Sequence, residues 1–162
     1  MWSSRTAHTL VLSLALAACG YEPVSAPGAP AGDLRGTIAI DDPIDLAGQA
    51  LVEQLERRLG LATNPDYRLS AELRLRNEGI GFTPDEAITR FNVEGLARYQ
   101  LVEMSSGLIV KTGEAQNFTS YSATSTQFAT EAARRDAIDR LMISLANQIT
   151  AELLLTAPEW RE

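Results

Sequence analysis

Imidazole and thiol are almost absent from this chain. Its 162 residues include one histidine and one cysteine. His8 lies in a stretch that reads as a removable leader, and Cys19 sits at the end of that stretch. A domain that starts after Cys19 therefore lacks both groups. Ser–His and Cys–His nucleophilic sites are excluded, as are His or Cys zinc sites. No disulfide can form within such a domain, even in an oxidising compartment. Lysine is scarce too: Lys111 is the only one. Lys and Arg together number 14 against 21 Asp and Glu, a net charge of -7. Removing residues 1–18 takes away only Arg5, which leaves -8. With no basic surplus to displace counterions from phosphate, nucleic acid is not an expected partner. There is no Gly-rich phosphate loop, no internal repeat and no long heptad run. No apolar run approaches the roughly 20 residues a membrane span needs.

What is present begins with the N-terminus. Arg5 supplies a short positive region, and Leu10 to Leu16 is a run of Leu, Val and Ala broken only by Ser13. Ala17 and Ala18 follow, the small residues a signal peptidase requires. Leu16-Ala17-Ala18-Cys19 then looks like a lipobox. Residues 1–18 are expected to be a lipoprotein signal peptide. Cys19 is expected to carry a covalent diacylglycerol and N-acyl lipid, an acyl (palmitate-type) anchor holding the chain on a membrane. The alternative is an ordinary secreted chain with an accidental cysteine. Gly20, rather than Asp, favours the outer membrane. The stretch GYEPVSAPGAPAGD holds three Pro, three Gly and three Ala, so residues 19–33 are expected to form a flexible tether. Fully extended, it reaches about 45–50 Å.

The folded domain is expected over residues 34–162, a length sufficient for one core. Leu34 to Ile40 is apolar at even positions and predicts a strand. Asp42-Pro43 predicts a helix start, with Asp as N-cap and Pro first in the helix. Leu51, Leu55 and Leu59 repeat every fourth position, and Gly60 is a natural C-cap. Tyr67, Leu69, Ala71, Leu73 and Leu75 alternate with Arg68, Ser70, Glu72, Arg74 and Arg76, the antiparallel signature. Asn77 to Asp85, with Gly79, Gly81 and Pro84, reads as a loop. Ile88 to Val102 is a second alternating strand. Ser105-Ser106-Gly107 is a turn, and Leu108 to Tyr121 is a third strand in which Gly113 suggests a bulge. Thr124 or Ser125 caps a long final helix with a stripe of Ile138, Leu141, Met142, Leu145, Ile149 and Leu153, ended by Pro158. The order β-α-β-β-β-α fits an α+β two-layer sandwich: two helices on one face of a four-stranded mixed sheet.

Each cluster of functional residue types has a plain structural reading beside the chemical one. Asp41, Asp42 and Asp45 could ligate a divalent metal; helix capping explains them as well, and no metal site is expected. The helical stripes suit a partner surface or, more simply, a packed face. Arg68, Arg74, Arg76, Arg90, Arg98, Glu72 and Glu94 share one sheet face, which is either solvated or a docking surface. Arg74, Arg76, Arg90 and Arg98 could hold anionic phosphates. Pairing of the same arginines with Glu72 or Glu94 is the alternative. Ile80 and Phe82 could anchor a partner from the glycine-rich loop, or simply cap the core. A carboxylate enzyme would need two facing acids about 5–9 Å apart. Only Glu72, Glu94 and Glu114 lie on the strands, interleaved with Arg, so no enzyme is expected.

Several stretches carry a resemblance. The Leu-Ala-Ala-Cys box leads into CGYEPV, followed by LRGTIAIDDPIDLAGQALVEQLERRLG, by RLSAELRL and by SYSATSTQFATEAARRDAIDRLMISLANQI. In these the chain resembles the LPS-assembly lipoprotein family, LptE, in its alphaproteobacterial form. The resemblance implies a fold of two helices on four strands. It implies a non-catalytic role as plug and assembly partner of the outer-membrane LPS translocon barrel, LptD. It also implies contact with lipopolysaccharide and a place on the periplasmic face of the outer membrane. Single-lysine content and acidic net charge depart from a lipopolysaccharide-binding surface. The rival is an auxiliary periplasmic lipoprotein of a phospholipid-transport ABC system, which would show an apolar groove for acyl chains.

Overall fold

The structure is a computed structural model that describes residues 34–82 and 88–161. The expected signal peptide, Cys19 and the expected tether fall outside the described residues. So does most of the segment joining the second and third strands.

Seven elements follow one another: β1 Ile38–Ile40, α1 Leu46–Leu59, β2 Tyr67–Phe82, β3 Ile88–Glu103, β4 Ile109–Ser122, α2 Gln127–Leu155 and the short α3 Ala157–Trp160. The strands form one sheet in the order β1-β2-β3-β4. β1 runs parallel to β2, and the other pairs are antiparallel. A parallel pair needs a crossover, and α1 supplies it. The mixed sheet with its helices is the expected α+β sandwich.

The core lies between the sheet's odd-numbered face and the two long helices. Leu51, Leu55 and Leu59 of α1 meet Leu141, Met142, Leu145, Ile149 and Leu153 of α2, all essentially buried. The sheet contributes Leu69, Val93, Ala97, Tyr99, Leu101 and Ala115. Gly95 lets α2 approach β3 closely: a Cβ there would stand 3.0 Å from Leu141 Cδ2 and 3.1 Å from Leu145 Cδ1. Two ring contacts close the ends. Tyr67 meets Trp160 edge-on at 5.2 Å, and Phe91 stacks on Tyr121 at 5.0 Å.

Several local expectations are corrected. The first strand is shorter than Leu34–Ile40, because the chain turns through Gly36 at φ +77° before pairing begins. The N-cap of α1 is Asp45, not Asp42: its carboxylate accepts from Gly48 N at 2.7 Å, and the helix starts three residues beyond Pro43. The C-cap is Gly60, at φ +81°, as expected. Asn77 to Phe82 is not a loop but the distal half of β2, held in register against β3 as far as Phe82↔Ile88. The cap of α2 is Thr126, whose hydroxyl accepts from Ala129 N at 3.2 Å, rather than Thr124 or Ser125. Pro158 sits at the start of α3 instead of only ending α2.

Gly113 makes no bulge. It pairs with Tyr99, and a Cβ on it would fall 2.3 Å from the Tyr99 hydroxyl oxygen. The glycine is there to seat the ring. The irregularity in this pair lies instead where Leu101 faces Lys111 and Val102 faces Ile109. Beside Tyr99, Lys111 Nζ lies 3.1 Å from Glu152 Oε1 and ties β4 to α2. Burial opposes ionisation of Glu152, but the neighbouring Tyr99 hydroxyl and Lys111 ammonium outweigh it and hold the carboxyl below its usual range. Burial first, and then Glu152, raises the Tyr99 phenol well above its ordinary value. The phenol oxygen itself has no partner at good hydrogen-bonding geometry.

Among the described residues the sheet has an open edge. β1 covers only Tyr67 to Leu69 of β2. Tyr67 N donates to Thr37 O and Asp41 N donates to Leu69 O, so odd-numbered β2 backbone groups face that side. By the period of two, Ala71, Leu73, Leu75 and Asn77 continue the row beyond the end of β1. Ala71 and Leu75 are correspondingly exposed, although their alternation marks them for the core.

Candidate partner and ligand surface

Among the described residues, nothing covers the even-numbered face of the sheet, since both long helices lie on the other. Strand register arranges that face in rows. Glu72, Arg98 and Glu114 form one row across β2, β3 and β4; Arg74, Leu96 and Gln116 form the next, and Arg76, Glu94 and Phe118 the third. Three of the four candidate arginines thus gather at mid-sheet. Arg90 does not join them. It lies four residues beyond Glu94 along β3, toward the β2–β3 tip, which is about 13 Å at the usual strand rise.

The central arginines are matched by carboxylates. Arg74 donates to Glu72 through Nη2 at 2.7 Å and Nε at 3.0 Å. Arg76 Nη2 lies 2.6 Å from Glu78 Oε1. Arg98 Nε donates to Glu114 Oε2 at 2.9 Å across strands, which raises the guanidinium pKa further. The partners are thus Glu72, Glu78 and Glu114. All are solvent-exposed pairs, worth little stability each. Arg90 makes no ion pair among the described residues. Glu94, the third strand carboxylate, faces Arg76 in register. A groove beside this face brings Asp41, Glu72 and Glu114 to its lining, each already beside an arginine: Arg68, Arg74 and Arg98 in turn.

Of the aspartates near α1, Asp45 caps the helix and Asp41 approaches Arg68 at 3.9 Å. The groove, of about 920 Å³, runs between this segment and β2. Its floor includes Leu51, Val52, Ala71 and Leu73, and its lining also includes Asp41, Asp42, Asp45 and Glu72. The carboxylates at its rim distinguish it from a slot built for acyl chains, which keeps charged groups few.

The distal hairpin carries the candidate anchors. Gly79 faces Phe91 and Gly81 faces Arg90, so Ile80 is the extra residue of a bulge. Its side chain is 47% exposed, so it does not cap the core. Phe82 faces Ile88 at the last paired position. Sequence reasoning missed Phe118, which is 59% exposed on the polar face at the edge strand β4. Its even position between Gln116 and Ser120 was the available signal.

Comparison with known proteins follows from this geometry. A family model described as LptE, lipopolysaccharide-assembly, matches residues 36–153. No curated protein matches the sequence. Among solved structures, a lipoprotein from Caulobacter crescentus superimposes with a TM-score of 0.68 at 19% identity, covering 81% of this chain and 97% of its own. The rare lipoprotein B of Shewanella oneidensis gives 0.60 at 11% identity, covering 78% and 98%. A minor lipoprotein of Acinetobacter baumannii gives 0.51 at 18% identity, covering 72% and 94%. At these identities the likeness is one of fold.

Proposed function

The chain belongs to the LptE lipopolysaccharide-assembly family, and from that premise we propose that it plugs and helps assemble the outer-membrane LptD barrel. It does so without catalysis, on the periplasmic face of the outer membrane, held there by lipid on Cys19. The observation that supports the plug is the uncovered sheet face. Its central arginines are matched by carboxylates and its area is broad, which suits a polar barrel lumen and also a period alone in water. An interface of this kind is large, on the order of 2,000 Å² or more. A shared membrane anchor raises effective concentration further.

The β2–β3 tip is the part we assign to deep insertion, with Ile80 and Phe82 as its anchors. A photo-crosslinker at either position in cells should yield adducts with a large outer-membrane barrel. Adducts only with an inner-membrane transporter would transfer the domain to phospholipid transport.

Contact with lipopolysaccharide is the second part of the proposal. Arg74, Arg76 and Arg98 can hold its phosphates only by displacing carboxylates already at 2.6–2.9 Å. Arg90 has no such competitor among the described residues. Charge-assisted bonds are worth about 1.5–3 kcal/mol, less when exposed, so Arg90→Ala should weaken binding by about 3–10-fold. Arg98→Ala should do less, and both effects should shrink with salt. Affinity unchanged by Arg90→Ala and by salt would remove these arginines from the ligand site.

A further inference from the structure

Five exposed apolar side chains gather at one pole of the domain: Leu61 at 73%, Met104 at 44%, Leu108 at 66%, Ile109 at 56% and Leu155 at 68%. They come from different elements. Met104 belongs to the β3–β4 turn, which is tied to the start of β2 by Met104 N donating to Asp66 O at 2.9 Å. Leu108 precedes β4, Ile109 opens it, and Leu155 ends α2; the Lys111–Glu152 pair joins these two elements three residues inward from Leu108 and Leu155. Leu61 follows the C-cap of α1 beside Gly36. None of the five serves the core, and scattered exposure does not explain their sharing one end.

The same pole receives the chain from residues 1–33. Leu34 is buried there, and Gly36 N donates to Leu59 O at 2.7 Å. Whatever holds the N-terminal segment is therefore attached at the apolar end, opposite the β2–β3 tip. We propose that, before a barrel takes up the domain, this pole seats on a lipid surface, with Leu61, Leu108, Ile109 and Leu155 entering the headgroup boundary. Its biological setting rests on the lipid anchor proposed above. Arg35, Arg58 and Arg161 share the pole with Asp66, Glu103 and Glu159, so charge nearly cancels and apolar burial supplies the attraction. The occupant is thus a zwitterionic surface, and seating is insensitive to salt.

A test can supply its own anchor. The chain lacking only residues 1–18 has a single thiol, Cys19, which couples to a maleimide-headgroup lipid in phosphatidylcholine vesicles. A benzophenone side chain is placed at Leu108, at Leu61 or at Phe118, the last an exposed apolar site on the sheet face. Lipid adducts at Leu108 and Leu61 should exceed those at Phe118 by about fivefold, at low and high salt alike. Introducing Leu108→Asp with Ile109→Asp should reduce the Leu61 adducts to the Phe118 level without lowering the melting temperature. Equal yields at all three sites would overturn the proposal, and so would a crosslinked dimer in place of lipid adducts. Either result leaves the natural lipidation of Cys19 a separate question, answered by the mass of the native protein.

Discussion

Leu145→Ala is expected to destabilise the domain by about 3–5 kcal/mol, the upper part of the range for a buried leucine. Leu145 is fully buried at the centre of the α2 stripe. It lies directly above Gly95, where no side chain can swing in to fill the space it leaves. Against a total stability of about 5–15 kcal/mol, this is a large fraction. The melting temperature should fall by roughly 10 °C or more. Leu55→Ala on α1 should cost about 2–4 kcal/mol, because it too is fully buried between the helices. Thermal unfolding of both variants checks the helix–helix–sheet core. Unchanged melting for both would mean that the stripes do not meet.

Gly113→Val should have a comparable effect for the opposite reason. Its Cβ would lie 2.3 Å from the Tyr99 hydroxyl oxygen and 2.4 Å from Cζ, far inside contact distance. The ring is 3% exposed and sits among core side chains, so it has nowhere to move without displacing its neighbours. Overpacking of this kind costs about 1–3 kcal/mol and sometimes more. The cause is separable from the general cost of changing a strand glycine. Combining Gly113→Val with Tyr99→Ala should recover part of the loss, a coupling of about 1–3 kcal/mol in a double-mutant cycle. Tyr99→Phe should be nearly neutral, because the hydroxyl has no well-formed hydrogen bond to lose. Additive losses in the cycle would show that the ring and the glycine do not constrain each other.

Periodicity carried most of the fold. Leu51, Leu55 and Leu59 name the buried face of α1, and the alternation from Phe91 to Leu101 names the buried face of β3. Those patterns are legible because each residue's neighbours on the element share its fate. Where tertiary context decides, the pattern fails. Ala71 and Leu75 alternate correctly but stay exposed, because among the described residues β1 ends opposite Leu69 and no further strand or helix covers that side of β2. Gly79 and Gly81 look like loop residues, yet the long partner β3 holds them in the ladder and confines the irregularity to Ile80. Asp42-Pro43 is a sound helix start by local chemistry, but Asp45 takes the cap three residues later. For the candidate site, the sequence placed Arg74, Arg76 and Arg98 on one face, which register joined to specific carboxylates. It could not tell that Arg90 would stand apart, since that depends on distance along β3 rather than on residue type.

The bare stretch of β2 also bears on how the protein avoids itself. An unpaired strand is a template for a second copy, and its most symmetric docking would be antiparallel about Leu75. The charges on that stretch, beyond the residues β1 covers, read Glu72, Arg74, Arg76, Glu78, the same forwards and backwards. Docked that way, Arg74 would face the twin's Arg76 and Glu72 the twin's Glu78, like against like at every charged position. The mirror order makes the edge repel its own image, while a foreign strand bearing acids opposite the arginines would meet no such barrier. The domain can thus keep an open edge while disfavouring this pairing with its own copy.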